Sequence, residues 1–132
     1  MNNKKSWIQQ IKFDANRLVP AIVQDAQTGE LLMVAYMNRQ AVAKTLRTGK
    51  THFYSRSRKK MWLKGESSGH IQKVKGIYLD CDGDAILVKA RQIDGACHTG
   101  YKNCFFRRLK NSRWKIIGTK VFDPEAVYRT GA

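Results

Sequence analysis

The sequence is short of acidic residues. Of its 132 residues, 10 are Asp or Glu and 25 are Lys or Arg, so the formal net charge is +15. This excess favours partners that carry many negative charges: nucleic acid, phosphorylated metabolites or anionic surfaces. Some non-specific binding of nucleic acid at low salt is therefore expected whatever the function of the protein.

The sequence also lacks a long hydrophobic run. Its purely apolar stretches are far shorter than the roughly 20 residues of a membrane-spanning helix. Residues 1–7 contain neither an apolar core nor a cleavage site, so they do not form a secretory signal. At 42% hydrophobic residues, the chain is long enough for one domain with its own core. We expect a cytoplasmic protein without a membrane partner.

Cysteine is scarce, with only Cys81, Cys97 and Cys104 in the chain. An odd number of cysteines without a secretory signal argues against a disulfide framework. Three thiolates could instead hold a zinc ion that keeps one open position. The intervals of fifteen and six residues between them are not the short paired spacing of a zinc finger. Three buried structural cysteines remain the alternative interpretation.

Three carboxylates alternate along residues 80–84, where Asp80, Asp82 and Asp84 flank Cys81 and Gly83. If this segment is extended, the three carboxylates share one face and Cys81 points to the other. Clustered carboxylate oxygens suit a hard divalent cation such as magnesium. A solvated acidic turn is the alternative, because Asp-Gly is also a turn signal.

The basic residues form two clusters. No acidic residue lies between Asp94 and Asp123, where seven basic residues occur: Lys102, Arg107, Arg108, Lys110, Arg113, Lys115 and Lys120. The second cluster consists of Arg56, Arg58, Lys59, Lys60 and Lys64. A solvated surface is the alternative to a binding site for either cluster.

Local patterns predict the secondary structure of the first half. Apolar residues at 18–23 and 30–37, separated by turn residues at 25–29, predict a β-hairpin. Asn38 is a good helix N-cap and Gly49 a good C-terminal stop, which predicts a helix over 39–48. Val42 and Leu46 lie four residues apart and therefore share one helical face.

The second half reads mainly as strands. Strands are predicted over 52–57, 74–79 and 85–92, with an irregular basic loop over 58–69. A second hairpin pairs 104–109 with 114–117, and a short helix begins near Pro124. The predicted fold class is α+β, a single domain of mostly antiparallel strands with a few short helices.

Several motifs occur in one order along the chain: 20–25 (PAIVQD), 28–30 (TGE), 35–38 (AYMN), 54–58 (YSRSR), 62–66 (WLKGE), 68–70 (SGH), 80–84 (DCDGD), 95–100 (GACHTG) and 104–107 (CFFR). In this order the chain resembles the phosphoribosyl-AMP cyclohydrolase family of histidine biosynthesis. The resemblance covers roughly residues 13–108.

The resemblance implies a reaction, two metals and a partner. Water attacks C6 of an adenine whose N1 carries a phosphoribosyl group, and the N1–C6 bond opens. The family works as an intertwined homodimer in which three cysteines hold one zinc per chain, one cysteine being given by the partner subunit. Carried over, the zinc ligands are Cys81, Cys97 and Cys104. The magnesium ligands are Asp80, Asp82 and Asp84.

Candidate catalytic and binding residues follow from this chemistry. A general base beside the zinc should help the proton leave, and His98 is the candidate because it follows Cys97. His70 is the second candidate, with a role in shaping the pocket as its alternative. The doubly phosphorylated substrate suits arginine, lysine and hydroxyl donors, for which we select Arg56, Ser55, Ser57 and Lys64. Trp62 could stack on a base or pack in the core.

Some features depart from the family. The family often carries a following pyrophosphohydrolase domain, and we expect a single domain over 1–132 without it. The tail 113–132 matches no motif of the family, and the high basicity is unusual. Two other functions stay open: a basic nucleic-acid-binding module and a non-catalytic structural zinc domain. Neither alternative gives the aspartate cluster a role.

Overall fold

The first hairpin forms as the turn residues predict. In the computed structural model, which describes residues 6–128, a short helix α1 (Ser6–Gln9) precedes it. Strand β1 (Val19–Asp25) pairs antiparallel with strand β2 (Leu31–Met37). In the turn, the Asp25 carboxylate accepts hydrogen bonds from the backbone N–H groups of Gln27 and Thr28 at 2.8 and 3.1 Å. The expectations on residues 1–5 and 129–132 lie outside the described residues.

Helix α2 (Arg39–Thr48) begins and ends where its caps predict. The Asn38 side chain accepts a hydrogen bond from the backbone N–H of Ala41 at 2.8 Å. Gly49 takes the left-handed conformation with φ 75°, which glycine adopts without the steric penalty of a Cβ. The predicted apolar face is half correct, because Val42 is buried whereas Leu46 is 55% exposed in this chain.

A strand replaces a third of the predicted irregular loop. Strand β3 (His52–Ser55) pairs antiparallel with strand β4 (Lys60–Leu63), so the prediction of a loop over 58–69 is wrong for 60–63. Trp62 lies opposite Phe53, and their ring centroids are 5.0 Å apart. The sequence did not indicate strand β4, because its three consecutive apolar residues lie between basic residues and do not alternate with polar residues at a period of two.

The main sheet has the strand order β2-β1-β6-β5, where β5 is Gln72–Leu79 and β6 is Ile86–Gln92. Its outer pairs are antiparallel, as the predicted fold class requires, but β1 and β6 are parallel. This central pairing joins segments more than sixty positions apart in the sequence. Local patterns do not encode such a pairing, since parallel neighbours need a long crossover connection.

The core lies on one side of this sheet. Alternate side chains of β1 and β6 are buried, and they form one cluster with side chains of α2 and β3, which pack on β2. The fully enclosed apolar side chains include Val19, Val23, Leu32, Met37, Phe53 and Val88. Burying each such side chain contributes about 1.5–3 kcal/mol, which makes this face the main source of stability.

The C-terminal elements end in a basic hairpin and a helix. Strand β7 (Arg107–Lys110) pairs antiparallel with β8 (Arg113–Ile116). Asn111 and Ser112 form the two-residue turn with positive φ values of 51° and 62°. The strand begins later than the predicted 104 because the Cys104 N–H donates instead to the Leu32 carbonyl at 2.7 Å. Helix α3 (Pro124–Tyr128) begins at Pro124 as expected.

Candidate active site

A cleft of about 710 Å³ opens between the end of β2 and the β3–β4 hairpin. The polar and charged residues that line it include Ser55, Arg56, Arg58, Lys60, Lys64, Glu66, Ser67, Ser68 and His98. Tyr36, Tyr54, Trp62 and Tyr128 supply aromatic surface. Cations outnumber carboxylates on these walls, so the cleft suits an anionic ligand that also carries a ring.

Arg56 lies in the turn between β3 and β4 and is held by an aromatic ring. Its guanidinium carbon is 4.2 Å from the centroid of the Tyr36 ring. Such cation–π contact keeps a long side chain in one orientation while its N–H donors stay free. Ser55 lines the cleft, and its hydroxyl lies 3.4 Å from that of Ser57, which is outside the lining.

Two of the three cysteines lie together. Partial burial of the thiol, together with the charge and hydrogen bonding of Cys97, raises the pKa of Cys104 to about 11, while the charge of Lys64 acts against the rise. The Cys97 thiol is also 2.8 Å from the Thr99 hydroxyl. The structure therefore presents a pair of adjacent thiols, one buried and one exposed.

Lys64 connects the cleft to this pair. Its ammonium donates a hydrogen bond to the carbonyl of Ala96, the residue before Cys97. Burial lowers the pKa of Lys64, and the neighbouring Cys104 and Cys97 oppose that change. Lys64 thus lies in the cleft wall, and its ammonium is hydrogen-bonded to the segment that carries Cys97; its predicted role in binding phosphate stays a prediction.

Ion pairs fix the cysteine segment to the first hairpin. The Lys102 ammonium is 3.1 Å from Glu30 and 3.5 Å from Asp25. The hydrogen bond to Glu30 raises the pKa of Lys102 most. Burial acts to raise the pKa of Asp25, but backbone hydrogen bonds from Gln27 and Thr28 and the charge of Lys102 lower it overall. These pairs hold residues 97–104 against β1 and β2.

Cys81 lies elsewhere, in the turn that joins β5 to β6. Residues 80–84 are not extended, so Asp80, Asp82 and Asp84 do not share a strand face. The turn reverses at Gly83 with φ 77°, and a Cβ there would meet the Gln10 carbonyl oxygen at 3.0 Å. The Asp80 carboxylate accepts hydrogen bonds from the N–H groups of Asp84 and Ala85.

The three carboxylates nevertheless converge. One oxygen from each of Asp80, Asp82 and Asp84 lies within 4.8 Å of the others, and all three side chains are exposed. Within residues 6–128 they form the only group of three or more possible metal ligands. Cys81 is exposed in the same turn. No third donor of this chain therefore joins Cys97 and Cys104 in the part that the structure describes.

The two candidate histidines have different surroundings. His98 is exposed on the cleft wall and follows Cys97 directly. His70 is only 6% exposed and packs edge-on against Phe122 at 4.5 Å. Its Nε2 lies 3.4 Å from an Asp94 carboxylate oxygen, and its buried Nδ1 has no hydrogen-bond partner among residues 6–128. Only His98 faces the cleft.

Three aromatic residues of the cleft, Tyr36, Tyr54 and Tyr128, were missing from the sequence-based site. Tyr36 supports Arg56, and its only sequence signal was its place in the motif at 35–38. Tyr128 comes from α3, for which no motif gave a signal. Across the described residues, no helix combines the length and the apolar character that crossing a membrane requires.

A cationic cleft beside a thiol pair is typical of an enzyme that acts on a phosphorylated small molecule. The sequence pattern of the family described as phosphoribosyl-AMP cyclohydrolase matches residues 33–106. That range contains every residue selected above for metal, phosphate and proton transfer. The chain belongs to the phosphoribosyl-AMP cyclohydrolase family and is a hydrolase of histidine biosynthesis.

Relatives with that name are similar along most of their length. A phosphoribosyl-AMP cyclohydrolase of Methanococcoides burtonii is 56% identical over 118 residues, which are 89% of this chain and 95% of the relative. One from Methanothermobacter thermautotrophicus is 55% identical, covering 86% of this chain and 84% of the relative. One from Bordetella parapertussis is 50% identical, covering 98% and 100%. The family that the motifs indicated is confirmed.

Proposed function

We propose that this protein opens the adenine ring of 1-(5-phosphoribosyl)-AMP by adding water at C6 and breaking the N1–C6 bond. The product is the formimino aminoimidazole carboxamide ribonucleotide of the third step of histidine biosynthesis. The observation that carries the proposal is the cationic, aromatic cleft whose wall residue Lys64 neighbours Cys97 and Cys104. All of its lining residues except Tyr128 lie within the part of the chain that matches the family.

The cleft binds the two phosphates and the ring of the substrate. Arg56 donates to a phosphate from its fixed position over Tyr36, and Ser55 adds a hydroxyl donor, whereas Ser57 lies outside the lining, where its hydroxyl neighbours that of Ser55. Lys64 contributes positive charge between the phosphates and the reacting ring. Trp62 serves partly as core, since it packs on Phe53, and partly as a ring-stacking surface in the cleft wall.

Cys97 and Cys104 of one chain and Cys81 of a second copy hold one zinc ion. Adjacent thiols suit a soft metal, and Cys81 is exposed in a distant turn of its own chain. Three thiolates leave one position open, where zinc lowers the pKa of water to about 7. Free thiols persist in a reducing compartment, which favours the cytoplasm.

A homodimer brings the third cysteine into place. An apolar groove of about 570 Å³ lies beside the turn that carries Cys81. Trp7, Leu46, Tyr78 and Leu79 line it and remain exposed in the single chain. Covering these side chains with a second copy removes apolar surface from water and seats Cys81 at the interface. The exposed apolar groove and the position of Cys81 beside it are our reasons for proposing the intertwined homodimer.

Magnesium binds the cluster of Asp80, Asp82 and Asp84. We expect Asp82→Asn to raise the magnesium concentration needed for half-maximal activity on the order of tenfold, because the site loses one of three charges. Zinc content should stay nearly unchanged, since Asp82 supplies no thiolate, although it neighbours the proposed zinc ligand Cys81 in the same turn. Activity titrated with magnesium and metal analysis measure both effects. Asp14→Asn, which removes the charge of an exposed carboxylate outside the cleft and the cluster, is the matched control.

Equal loss of zinc and magnesium in Asp82→Asn would contradict two separate sites. A circular dichroism spectrum identical to that of the wild type is required, so that a folding defect is not taken for metal loss. A magnesium titration of Asp82→Asn that matches that of Asp14→Asn would show that the cluster does not bind the magnesium needed for activity.

The reaction itself is tested by mixing the purified protein with phosphoribosyl-AMP and magnesium and following the ultraviolet absorbance of the adenine ring. We expect turnover that a zinc chelator abolishes and added zinc restores. Turnover that resists chelation would contradict the zinc site but keep the reaction. No turnover from a zinc-loaded dimer would reject the reaction and leave a structural zinc protein.

A further inference from the structure

The β7–β8 hairpin has one face made only of cations. Arg108 lies directly opposite Lys115, and Lys110 lies directly opposite Arg113. Because side chains alternate along a strand, these four residues, here called the cationic face, point to the same side. All four are exposed. Leu109, Trp114 and Ile116 are on the other side, where Trp114 is 68% exposed.

The cationic face has no negative partner within the described chain. Like charges placed directly opposite each other destabilise a strand pair. No Asp or Glu occurs between residues 94 and 123, and the ion pairs of residues 6–128 involve other cations. The hairpin thus keeps four mutually repelling charges that a bound polyanion would neutralise.

The spacing of these charges suits a row of phosphates. Cross-strand neighbours are about 5 Å apart, and residues two apart along a strand are about 7 Å apart. These distances are of the order of the separation between successive phosphates of a nucleic-acid strand. The two arginines can also bind phosphate oxygens in a bidentate manner.

The substrate does not account for the cationic face. None of its four residues lines the cleft, whose own cations are on β4 and in the turns on either side of it. A membrane surface does not account for it either. The apolar side chains of the hairpin are on the opposite face, so a bilayer cannot contact the cations and the apolar residues at once.

We propose that the cationic face binds the sugar-phosphate backbone of a single nucleic-acid strand. This inference does not depend on the proposed reaction, because the residues of the cationic face are different from those that line the cleft. It also differs from general attraction to a protein of charge +15, since it places the contacts on four residues.

The test compares two variants of equal net charge. The first neutralises the cationic face with Arg108→Gln, Lys110→Gln, Arg113→Gln and Lys115→Gln. The control neutralises four exposed cations outside the hairpin and the cleft with Arg39→Gln, Arg47→Gln, Lys50→Gln and Lys73→Gln. Fluorescence anisotropy with a labelled oligouridylate of about 16 nucleotides gives the Kd of each protein between about 50 and 200 mM salt.

We expect the first variant to raise the Kd roughly tenfold or more and to flatten the log–log salt dependence by about 3, since each phosphate contact contributes about 0.7. The control variant should change the Kd and its salt dependence much less. Both variants should keep ring-opening activity. Equal weakening of binding in the two variants would show that the binding depends only on net charge and not on the cationic face. Absent binding by the wild type, or binding only to phosphatidylserine vesicles, would overturn the proposal.

Discussion

Cys97→Ala is expected to lose zinc and to lower kcat on the order of a thousandfold. Zinc lowers the activation free energy of such a reaction by several kcal/mol, and each 1.36 kcal/mol changes the rate by a factor of ten. Cys97 is the buried member of the thiol pair, so its loss leaves Cys104 without its neighbour. Metal analysis and the ring-opening assay measure the two effects. Thr99→Ala removes the hydroxyl beside Cys97 but no ligand, and serves as the matched control.

The same cysteines allow a sharper test of the shared site. Cys81→Ala should be as inactive as Cys97→Ala, although the two residues are on different elements of one chain. A heterodimer of one Cys81→Ala chain and one Cys97→Ala chain then contains one site with all three cysteines and one site with only Cys104. Co-expression with two different tags isolates this heterodimer, whose expected activity is about half that of the wild type.

If all three ligands came from one chain, both sites of the heterodimer would be damaged and it would be inactive. An inactive heterodimer therefore rejects the shared site, provided that its folding and mass match those of the wild-type dimer. A fully active Cys97→Ala protein would reject zinc as the source of the nucleophile.

His98→Ala is expected to lower kcat by roughly 10²–10⁴, the usual contribution of a general base. His98 is exposed on the cleft wall, so its removal should leave zinc content, dimer mass and thermal stability close to those of the wild type. Single-turnover kinetics measure the chemical step, and metal analysis excludes an indirect effect through Cys97.

His70→Ala is the comparison, because His70 is the other candidate and its surroundings differ. It is buried against Phe122 and beside Asp94, so its removal opens a cavity. We expect lower thermal stability and a smaller change in kcat of the folded fraction. A large loss of kcat in His70→Ala at wild-type stability, with little loss of kcat in His98→Ala, would show that His70 and not His98 is the general base.

Local features of the sequence were sufficient for several elements. The turn at 25–29 predicted the first hairpin because the Asp25 carboxylate binds the backbone of its own turn. Asn38 and Gly49 defined both ends of α2, since caps act within one helical turn. Strand β4 was missed because its neighbours are basic and its apolar residues do not alternate. Its pairing with β3, through Trp62 and Phe53, is a tertiary contact.

The composition of the candidate site could also be predicted from the sequence, because its motifs name residue types whose chemistry does not depend on the fold. Cys81, Cys97, Cys104, the three aspartates, His98 and Arg56 were all recognised in this way. Their grouping could not be predicted, because it depends on how distant segments pack. The aspartates converge through a turn that Gly83 permits, and not through a strand.

Tertiary structure alone decided which of these residues lie close together. The parallel pairing of β1 with β6 and the ion pairs of Lys102 bring residues 97–104 to the first hairpin and Lys64 to the thiols. The same packing buries His70, exposes His98, and leaves Cys81 apart from the other two cysteines. The chemistry of a side chain depends on its residue type, so the sequence determines it directly. Which side chains lie close together depends instead on how segments far apart in the chain bury their apolar surface against each other.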